Sequence, residues 1–471
     1  MLRCRLSIDQ YGITIGIFND GLAMTFLATR LTLAASLALL GAGASFAADA
    51  PAAAAAPHAV LLRAAHLFDS VSGHLVDNAE VLVVGNKIAR IGSGSNSGKH
   101  LDAPAGAEVI DLGDATLLPG FIDAHVHMSG ESTDNWYHDF FDNVMRFPAE
   151  QALYGARNAR VTLDAGFTSV RDVGSSDWIA LGLRNAIDAG QIPGPRMLVS
   201  NYPVGSTGGH ADQDPVPPDR LPLAGPLKGV CNGADECRAA VRYQIKFGAN
   251  VIKFMPSGGV LSLSDPVDAP ELTQDEMNAI IGEAHAWGRK AAAHAHGDKA
   301  ARMAVNAGVD SIEHGSFLED DTLRLMKQKG VYLVPTMSAI ASVEAKVATF
   351  PPVIGDKARA AAAHARVTFR HAAQLGVPIA LGTDAAVGLH GTNAREFFYM
   401  VENGLSPAQS LMAGTSNAAR LLGTSDLVGT LQEGKLADIV AVPGNPLADI
   451  RVTERPVLVM KDGTVVRKPA R

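Results

Sequence analysis

The stretch Phe121-Ile-Asp-Ala-His-Val-His127 decides how the fold of this chain is interpreted. It continues an apolar run that starts at Thr116, which predicts a buried strand ending in two histidines two positions apart. Side chains at positions i and i+2 of a strand point to the same face. Two neutral imidazoles on one face suit a divalent metal, although an isolated pair also fits two polar residues in a loop.

Further along the chain, short apolar runs end in other side chains that serve as metal ligands or catalysts. These are Lys253 in VIKF, His294 in AAAHAHG, His314 in SIEHGS and Asp384 in ALGTDA. A single histidine at a strand end is usually only a polar residue at the rim of a sheet. Four histidines and an aspartate that recur in this order predict a metal site.

Eight strand-like runs alternate with helical patterns through the middle of the chain, which is typical of a (β/α)8 TIM barrel. The runs span residues 117–125, 168–172, 196–201, 251–254, 290–294, 311–314, 332–335 and 378–383. A doubly wound open sheet is the alternative, and it would collect its functional residues at one crevice. Here the candidate residues follow strands one, four, five, six and eight, and only a barrel brings those strand ends together. We therefore predict a barrel over residues 116–424.

Both ends of the chain carry short runs of alternating apolar and polar residues, separated by turn residues. This pattern is typical of antiparallel strands. We expect residues 58–115 and 425–471 to pair into one small, discontinuous β-sandwich domain.

Residues 1–47 have the character of a leader and signal peptide. A short lead ending in Arg30 precedes the apolar run 31–40, and Ser45 and Ala47 supply the small residues that signal peptidase requires. We predict cleavage after Ala47, with residues 1–23 an upstream extension from a misplaced start. The mature chain would be periplasmic or secreted and begin with a flexible Ala/Pro tract, residues 48–57. The apolar run is too short for a membrane anchor, so no membrane association is expected after cleavage.

Composition limits the classes of function that need to be considered. The 471 residues are 47% hydrophobic and 19% charged, enough for a large core and more than one domain. The formal net charge of −8 argues against a nucleic-acid partner. Cys231 and Cys237 are predicted to form a loop-closing disulfide in an oxidising compartment, with two free thiols as the alternative.

The set and order of these residues resemble the amidohydrolase superfamily of metal-dependent hydrolases. Three motifs resemble one branch of this superfamily: YPVGSTGGH (202–210), IKFMPSGGVLS (252–262) and HAHG (294–297). That branch contains Xaa-Pro dipeptidases, metal-dependent carboxypeptidases and ochratoxin-degrading amidases. The resemblance covers residues 58–470 in order. It implies hydrolysis of an amide whose leaving group is an amino acid with a free α-carboxylate. It also implies a homo-oligomer, often an octamer.

The resemblance implies two divalent metal ions, and the imidazole and carboxylate ligands favour zinc. His125, His127 and Asp384 would bind one ion, and His294 and His314 the other. A water shared between the ions would act as the nucleophile, and Asp384 would serve as general acid and base.

Lys253 lies within an apolar run that should be a buried strand. Burial lowers the pKa of a lysine, which leaves a free amine able to react with carbon dioxide. The resemblance implies that the N6-carboxylated form of this lysine bridges the two metal ions. The alternatives are a lysine that extends to the rim or pairs with a carboxylate.

Candidates for contact with the substrate are His210, His296, Arg171, Tyr202, Ser257 and Gly258. His210, in a Gly/Pro-rich loop, would bind a substrate carboxylate as imidazolium or would be solvated. Arg171 would also bind the carboxylate or would form an interior ion pair with Asp172 or another acid. The metal ligand is assigned to His294 because it ends the apolar run, and the reverse assignment of His294 and His296 stays open.

The predicted activity is that of a dinuclear metal-dependent amide hydrolase of the carboxypeptidase or dipeptidase type. Its expected substrates are Xaa-Pro or other dipeptides and N-acyl amino acids, including ochratoxin-like amides. Two alternatives remain: hydrolysis of a cyclic amide or imidazolone ring, and a non-enzymatic periplasmic zinc-binding protein that keeps the barrel. The complete ligand set with Lys253 and Asp384 argues against the second alternative.

Overall fold

The structure, a computed structural model, describes residues 3–9, 12–18, 58–93, 100–133, 135–212, 217, 219–220 and 222–468. The predicted signal peptide, the cleavage site after Ala47 and the Ala/Pro tract lie outside these ranges. The chain divides into two units, residues 1–55 and 56–471. In the first unit, β1 (Arg3–Asp9) pairs antiparallel with β2 (Gly12–Phe18).

The second unit alternates strands and helices through its middle and has further strands at both ends. Its strands are β3 (Ala59–Asp69), β4 (His74–Val84), β5 (Lys87–Ser93), β6 (Glu108–Asp111), β7 (Ala115–Pro119), β8 (Phe121–Val126), β9 (Phe167–Asp172), β10 (Arg196–Val199), β11 (Val251–Phe254), β12 (Lys290–Gly297), β13 (Ser311–Phe317), β14 (Tyr332–Val334), β15 (Ile439–Pro443), β16 (Leu458–Lys461) and β17 (Thr464–Arg467).

Its α-helices are α1 (Trp136–Met145), α2 (Pro148–Asp164), α3 (Ile179–Asp188), α4 (Ala234–Lys246), α5 (Gln274–Ala286), α6 (Asp298–Ala307), α7 (Asp320–Lys329), α8 (Met337–Lys346), α9 (Pro352–Leu375), α10 (Arg395–Glu402), α11 (Pro407–Met412) and α12 (Ala418–Leu422). Short 3₁₀ turns lie at Pro226–Lys228, Val347–Thr349 and Ile450–Glu454, and a π-helical turn at Ala413–Asn417. Within the described ranges, no helix is both long and apolar enough to cross a membrane.

Strands from both ends of the second unit hydrogen-bond into one sheet. The order is β17-β16-β15-β7-β3-β4-β5, and β6 pairs with β3. Side chains of strands from both ends, among them Val60, Leu117 and Ile439, form one shared hydrophobic core. The pairing of the two ends agrees with the sequence, but the hydrogen bonds form one eight-stranded sheet where a sandwich of two sheets was predicted. The separate terminal domain stays a prediction, because residues 56–471 form one compact unit.

The predicted first barrel strand, 117–125, is in fact two strands. Strand β7 pairs antiparallel with β15, whereas β8 pairs in parallel with β9. Gly120 lies between them, and its N–H donates to the carbonyl of Asp438 at 2.8 Å. A Cβ at Gly120 would lie 2.1 Å from Oγ1 of Thr168, so only glycine fits where the chain passes from one sheet to the other.

The middle of the chain contains two parallel sheets, β10-β9-β8 and β11-β12-β13-β14. Backbone hydrogen bonds extend beyond their edges: Val204 N–H donates to the carbonyl of Lys253, and Leu333 N–H to that of Pro378, each at 2.8 Å. The predicted eighth strand, 378–383, contributes such single bonds and bridges, and the structure assigns no regular strand to it. Parallel strands place their carboxyl ends on one side, so the residues that follow them are brought together.

The predicted disulfide is confirmed. Cys231 and Cys237 are bonded, with their Cα atoms 5.0 Å apart and a sequence separation of six. Both side chains are fully buried in the main core; Cys231 precedes α4 and Cys237 lies near the start of that helix.

Reduction of this disulfide is expected to lower the free energy of unfolding by about 2 kcal/mol, because a short loop restricts the unfolded chain only modestly. The measurement is urea unfolding of the wild type with and without reductant. A variant with both cysteines replaced by alanine is the control, and its unfolding midpoint should not respond to reductant. A wild-type midpoint that is insensitive to reductant would contradict the prediction.

Candidate functional site

A cavity of about 190 Å³ brings together residues from the ends of the parallel strands. One side of this cavity is polar. It is lined by His125, His127, His210, Lys253, His294, His296, His314, Thr336 and Asp384. All six predicted metal ligands therefore reach one cavity, together with two of the predicted substrate contacts, although they come from segments far apart in sequence.

The carboxylate of Asp384 faces His125 and His127, at the carboxyl end of β8. Its Oδ1 lies 3.6 Å from Nε2 of His125 and 3.4 Å from Nε2 of His127. The backbone holds these groups together, because Asp384 N–H donates to the carbonyl of His125 at 2.7 Å. Burial raises the pKa of Asp384 to about 6, although the nearby Lys253 opposes the shift.

Hydrogen bonds fix the orientation of the imidazole rings of His125 and His127. Nδ1 of His125 donates to Oε2 of Glu313 at 2.8 Å, and Nδ1 of His127 donates to the carbonyl of Gly174 at 2.9 Å. Carboxylate and carbonyl oxygens only accept, so Nδ1 carries the proton and the Nε2 lone pair faces the cavity. Nε2 of His125 is buried and has no hydrogen-bond partner among the described residues, as expected of a nitrogen placed to bind a cation.

The remaining histidines form a second group. His294, His296 and His314 each offer one nitrogen, and these atoms lie within 4.8 Å of one another. His314 also offers a nitrogen within 4.8 Å of ligand atoms of His125 and Asp384, so it belongs to both groups. His294 and His296 both satisfy this geometry, so it does not choose between them. Burial lowers the pKa of all three imidazoles, which keeps them neutral and able to bind a metal.

Lys253 lies at the floor of the cavity on β11, and its side chain is 1% exposed. Burial lowers the pKa of Lys253 to about 8, against the opposing charges of Glu313 and Asp384. The amine is therefore more often neutral near pH 7 to 8 than that of an ordinary lysine. The alternative of a lysine that extends to the solvent-exposed rim does not fit this burial.

His210 lines the cavity, as a substrate contact must. Its ring lies 4.4 Å from that of His294, and its Nδ1 lies 3.3 Å from Oγ of Ser262. Burial lowers the pKa of His210 to about 4, although Asp265 opposes the shift. A neutral imidazole, which donates one hydrogen bond, fits this environment better than the imidazolium expected from the sequence.

Arg171 and Tyr202 do not line the cavity. Arg171 is 1% exposed, and its Nη2 pairs with Oε1 of Glu313 at 2.8 Å. This is the interior ion pair that the sequence left open, with Glu313 rather than Asp172 as the partner. The hydroxyl of Tyr202 accepts from the backbone N–H of Asp177 at 2.8 Å and donates to its carboxylate at 3.0 Å.

Ser257 and Gly258 also lie outside the cavity lining and contact the site histidines from behind. Oγ of Ser257 accepts from the backbone N–H of His296 at 3.0 Å, and the carbonyl of Gly258 lies 3.4 Å from Nε2 of His294. A Cβ at Gly258 would lie 2.2 Å from the carbonyl oxygen of Pro266. These two residues therefore position the histidines.

The sequence analysis missed two buried acids that contact His125. One is Glu313, which binds His125 and Arg171. The other is Asp123, which accepts from the N–H of His125 at 3.1 Å, from Oγ1 of Thr383 at 2.6 Å and from Nδ2 of Asn393 at 2.8 Å. Each acid interrupts an apolar run close to a predicted metal ligand. That position in the sequence could have indicated a role in the site.

A model of the amidohydrolase family matches residues 116–466. Ochratoxinase of Aspergillus niger is 33% identical over 417 residues, which cover 84% of each chain. A solved structure of a Xaa-Pro dipeptidase with bound methionine superposes with a TM-score of 0.82 and 38% identity, over 87% of this chain and 100% of that one. A solved structure of a prolidase in complex with N-methylphosphonate-L-proline superposes with a TM-score of 0.78 and 30% identity, over 87% of this chain and 100% of that one.

Replacing Glu313 by Gln is expected to weaken metal retention on the order of 10- to 100-fold, because the glutamine no longer holds His125 by a charged acceptor. It should also lower the free energy of unfolding by about 3 kcal/mol, since the charge of buried Arg171 is no longer balanced by a carboxylate. Zinc retention against a competing chelator and urea unfolding measure the two effects. Glu319→Gln, whose side chain is 75% exposed, is the control. Equal zinc retention in both variants would contradict the role of Glu313.

Proposed function

Because the chain belongs to the amidohydrolase family and is a hydrolase of amide bonds, we propose that it releases a C-terminal amino acid from dipeptides or N-acyl amino acids. Xaa-Pro dipeptides and ochratoxin-like amides are included. The observation that carries the proposal is the convergence of the two groups of metal-ligand atoms on His314, beside buried Lys253. The similarity to an ochratoxinase and to Xaa-Pro dipeptidase structures supports this substrate class.

We infer that the two parallel sheets belong to one closed (β/α)8 barrel over residues 116–424, with a terminal β-domain from 58–115 and 425–471. Backbone hydrogen bonds at the sheet edges, from Val204 to Lys253 and from Leu333 to Pro378, support closure of the barrel. A further bond, from Ala124 N–H to the carbonyl of Leu381 at 2.8 Å, supports closure onto β8.

We propose two divalent cations, with zinc favoured by the imidazole and carboxylate donors. His125, His127 and Asp384 would hold one, and His294 and His314 the other. Two observations support this assignment. The buried Nε2 of His125 has no hydrogen-bond partner among the described residues, and burial keeps the imidazoles of His294 and His314 neutral. Bound cations supply Lewis acidity at the amide carbonyl and lower the pKa of a water.

We propose that Lys253 is carboxylated and bridges the two cations. Its neutral amine nitrogen would form a bond to the carbon of CO₂ and lose one proton to solvent, so that the neutral amine becomes an anion. The lowered pKa of Lys253 supports the reaction, because the neutral amine is the nucleophile. The anion would also balance the positive charge of two metal ions in a buried site.

Asp384 is the proposed general acid and base. Its carboxylate faces the cavity beside His125 and His127. With a pKa raised to about 6, it is largely ionised at neutral pH and able to accept the proton of the attacking water. The protonated carboxyl then donates to the amide nitrogen as the carbon–nitrogen bond breaks.

Export and self-association are proposed as well. The Cys231–Cys237 disulfide supports a periplasmic or secreted location, where disulfides persist. Helix α1 has no buried residue and exposes Tyr137, Phe141 and Met145 by 62%, 59% and 59%. An apolar face of this kind supports a homo-oligomer, and the octamer is the proposed form.

Carboxylation of Lys253 is tested without reference to activity. Protein equilibrated with ¹³C-bicarbonate and zinc should give a ¹³C carbamate resonance, which Lys253→Ala should lack. Lys290→Ala, at the exposed start of the neighbouring strand β12, is the control and should keep the resonance. A resonance that survives in Lys253→Ala would assign the carbamate elsewhere.

The reaction is tested by free amino acid released from Xaa-Pro dipeptides, other dipeptides and N-acyl amino acids. Chelation should reduce release to background and zinc should restore it. Asp384→Asn should remain at background while its urea unfolding stays cooperative. Release by the chelated protein, or wild-type rates in Asp384→Asn, would contradict the proposed reaction.

A further inference from the structure

The cavity that holds the candidate metal ligands has a second side of opposite chemistry. Opposite the histidines, helices α8 and α9 contribute Ala339, Ile340, Val343, Ala358 and Ala361. Each of these side chains is at most 7% exposed. The remaining described residues on this side, in the loops, are apolar as well. A charged group placed there would lose its hydration without gaining a partner.

This apolar side continues into a neighbouring cavity of about 280 Å³. Leu261, Val343 and Val387 line both cavities, and we refer to these three residues as the apolar junction. Beyond the junction lie Trp136 and Phe140, whose rings are stacked with centroids 5.5 Å apart and an interplanar angle of 14°. A planar apolar group that crosses the junction would meet these rings.

The charged residues of the neighbouring cavity already have partners. Glu131 pairs with Arg157 at 2.6 Å, and Nζ of Lys346 lies 3.2 Å from Oγ of Ser132. Asp139 accepts from the N–H and the hydroxyl of Thr133. The surface left for a ligand is therefore mainly that of the aromatic rings and the junction.

We propose that this hydrolase prefers amides whose acyl group is extended and apolar, aromatic acyl groups above all, over small or charged dipeptides. The acyl group would run along the α8 and α9 side and across the apolar junction towards Trp136 and Phe140. The preference rests on the proposed amide hydrolysis and adds the substrate class to it. Each methylene buried on the way is worth about fourfold in binding.

The test varies only the acyl group. The zinc-loaded chain is given N-acetyl-, N-hexanoyl- and N-(1-naphthoyl)-L-phenylalanine and a succinyl analogue with a free carboxylate. We expect kcat/KM to rise at least tenfold from acetyl to naphthoyl, and the succinyl analogue to fall below hexanoyl. Hydrolysis of the whole series at equal rates would overturn the preference and leave the proposed function intact. No release from any amide, dipeptides included, would overturn the proposed function itself.

Two variants locate the preference in the structure. Val343→Phe narrows the junction, so the ratio of kcat/KM for naphthoyl over acetyl should fall at least tenfold. Val367→Phe is the matched control on α9, because Val367 is 43% exposed and lines neither cavity, and it should keep the wild-type ratio. Phe140→Ala, which adds no bulk, should lower the ratio several-fold. Wild-type ratios in both Val343→Phe and Phe140→Ala would overturn the proposed path.

Discussion

The buried carboxylate of Glu313 is the interaction on which the candidate site depends. It accepts from Nδ1 of His125 and from Nη2 of Arg171, both at 2.8 Å, in a position with no solvent exposure. Removal of either partner would leave a charge or a donor unpaired at high cost. The strands that carry these three residues must therefore meet in one register. That register also turns Nε2 of His125 towards Asp384.

The sequence was sufficient where the chemistry is local. Lys253, His294 and His314 lie on the neighbouring strands β11, β12 and β13, so their closeness in space could be predicted from the parallel order of those strands. The disulfide was predictable because Cys231 and Cys237 are so close in sequence. The choice between His294 and His296 was not, since both stay near His314 in the folded chain.

What the sequence could not supply depends on contacts between distant segments. The pairing of Arg171 with Glu313 joins two strands that are far apart along the chain, and either residue alone fits several roles. The break at Gly120 follows from the closeness of Thr168, which no local pattern indicates. The apolar side of the cavity comes from α8 and α9, whose small residues would otherwise be assigned to helix packing. Its chemistry becomes visible only when the helices are placed beside the histidines.

The central claim is that the strand-end residues hold two metal ions joined through Lys253. It is tested most directly by a crystal structure of the zinc-loaded protein with anomalous data at the zinc edge. The account predicts two anomalous peaks, one at His125, His127 and Asp384 and one at His294 and His314, with density for a carboxylated Lys253 between them. A single peak confined to His294, His296 and His314, with an unmodified Lys253, would contradict it.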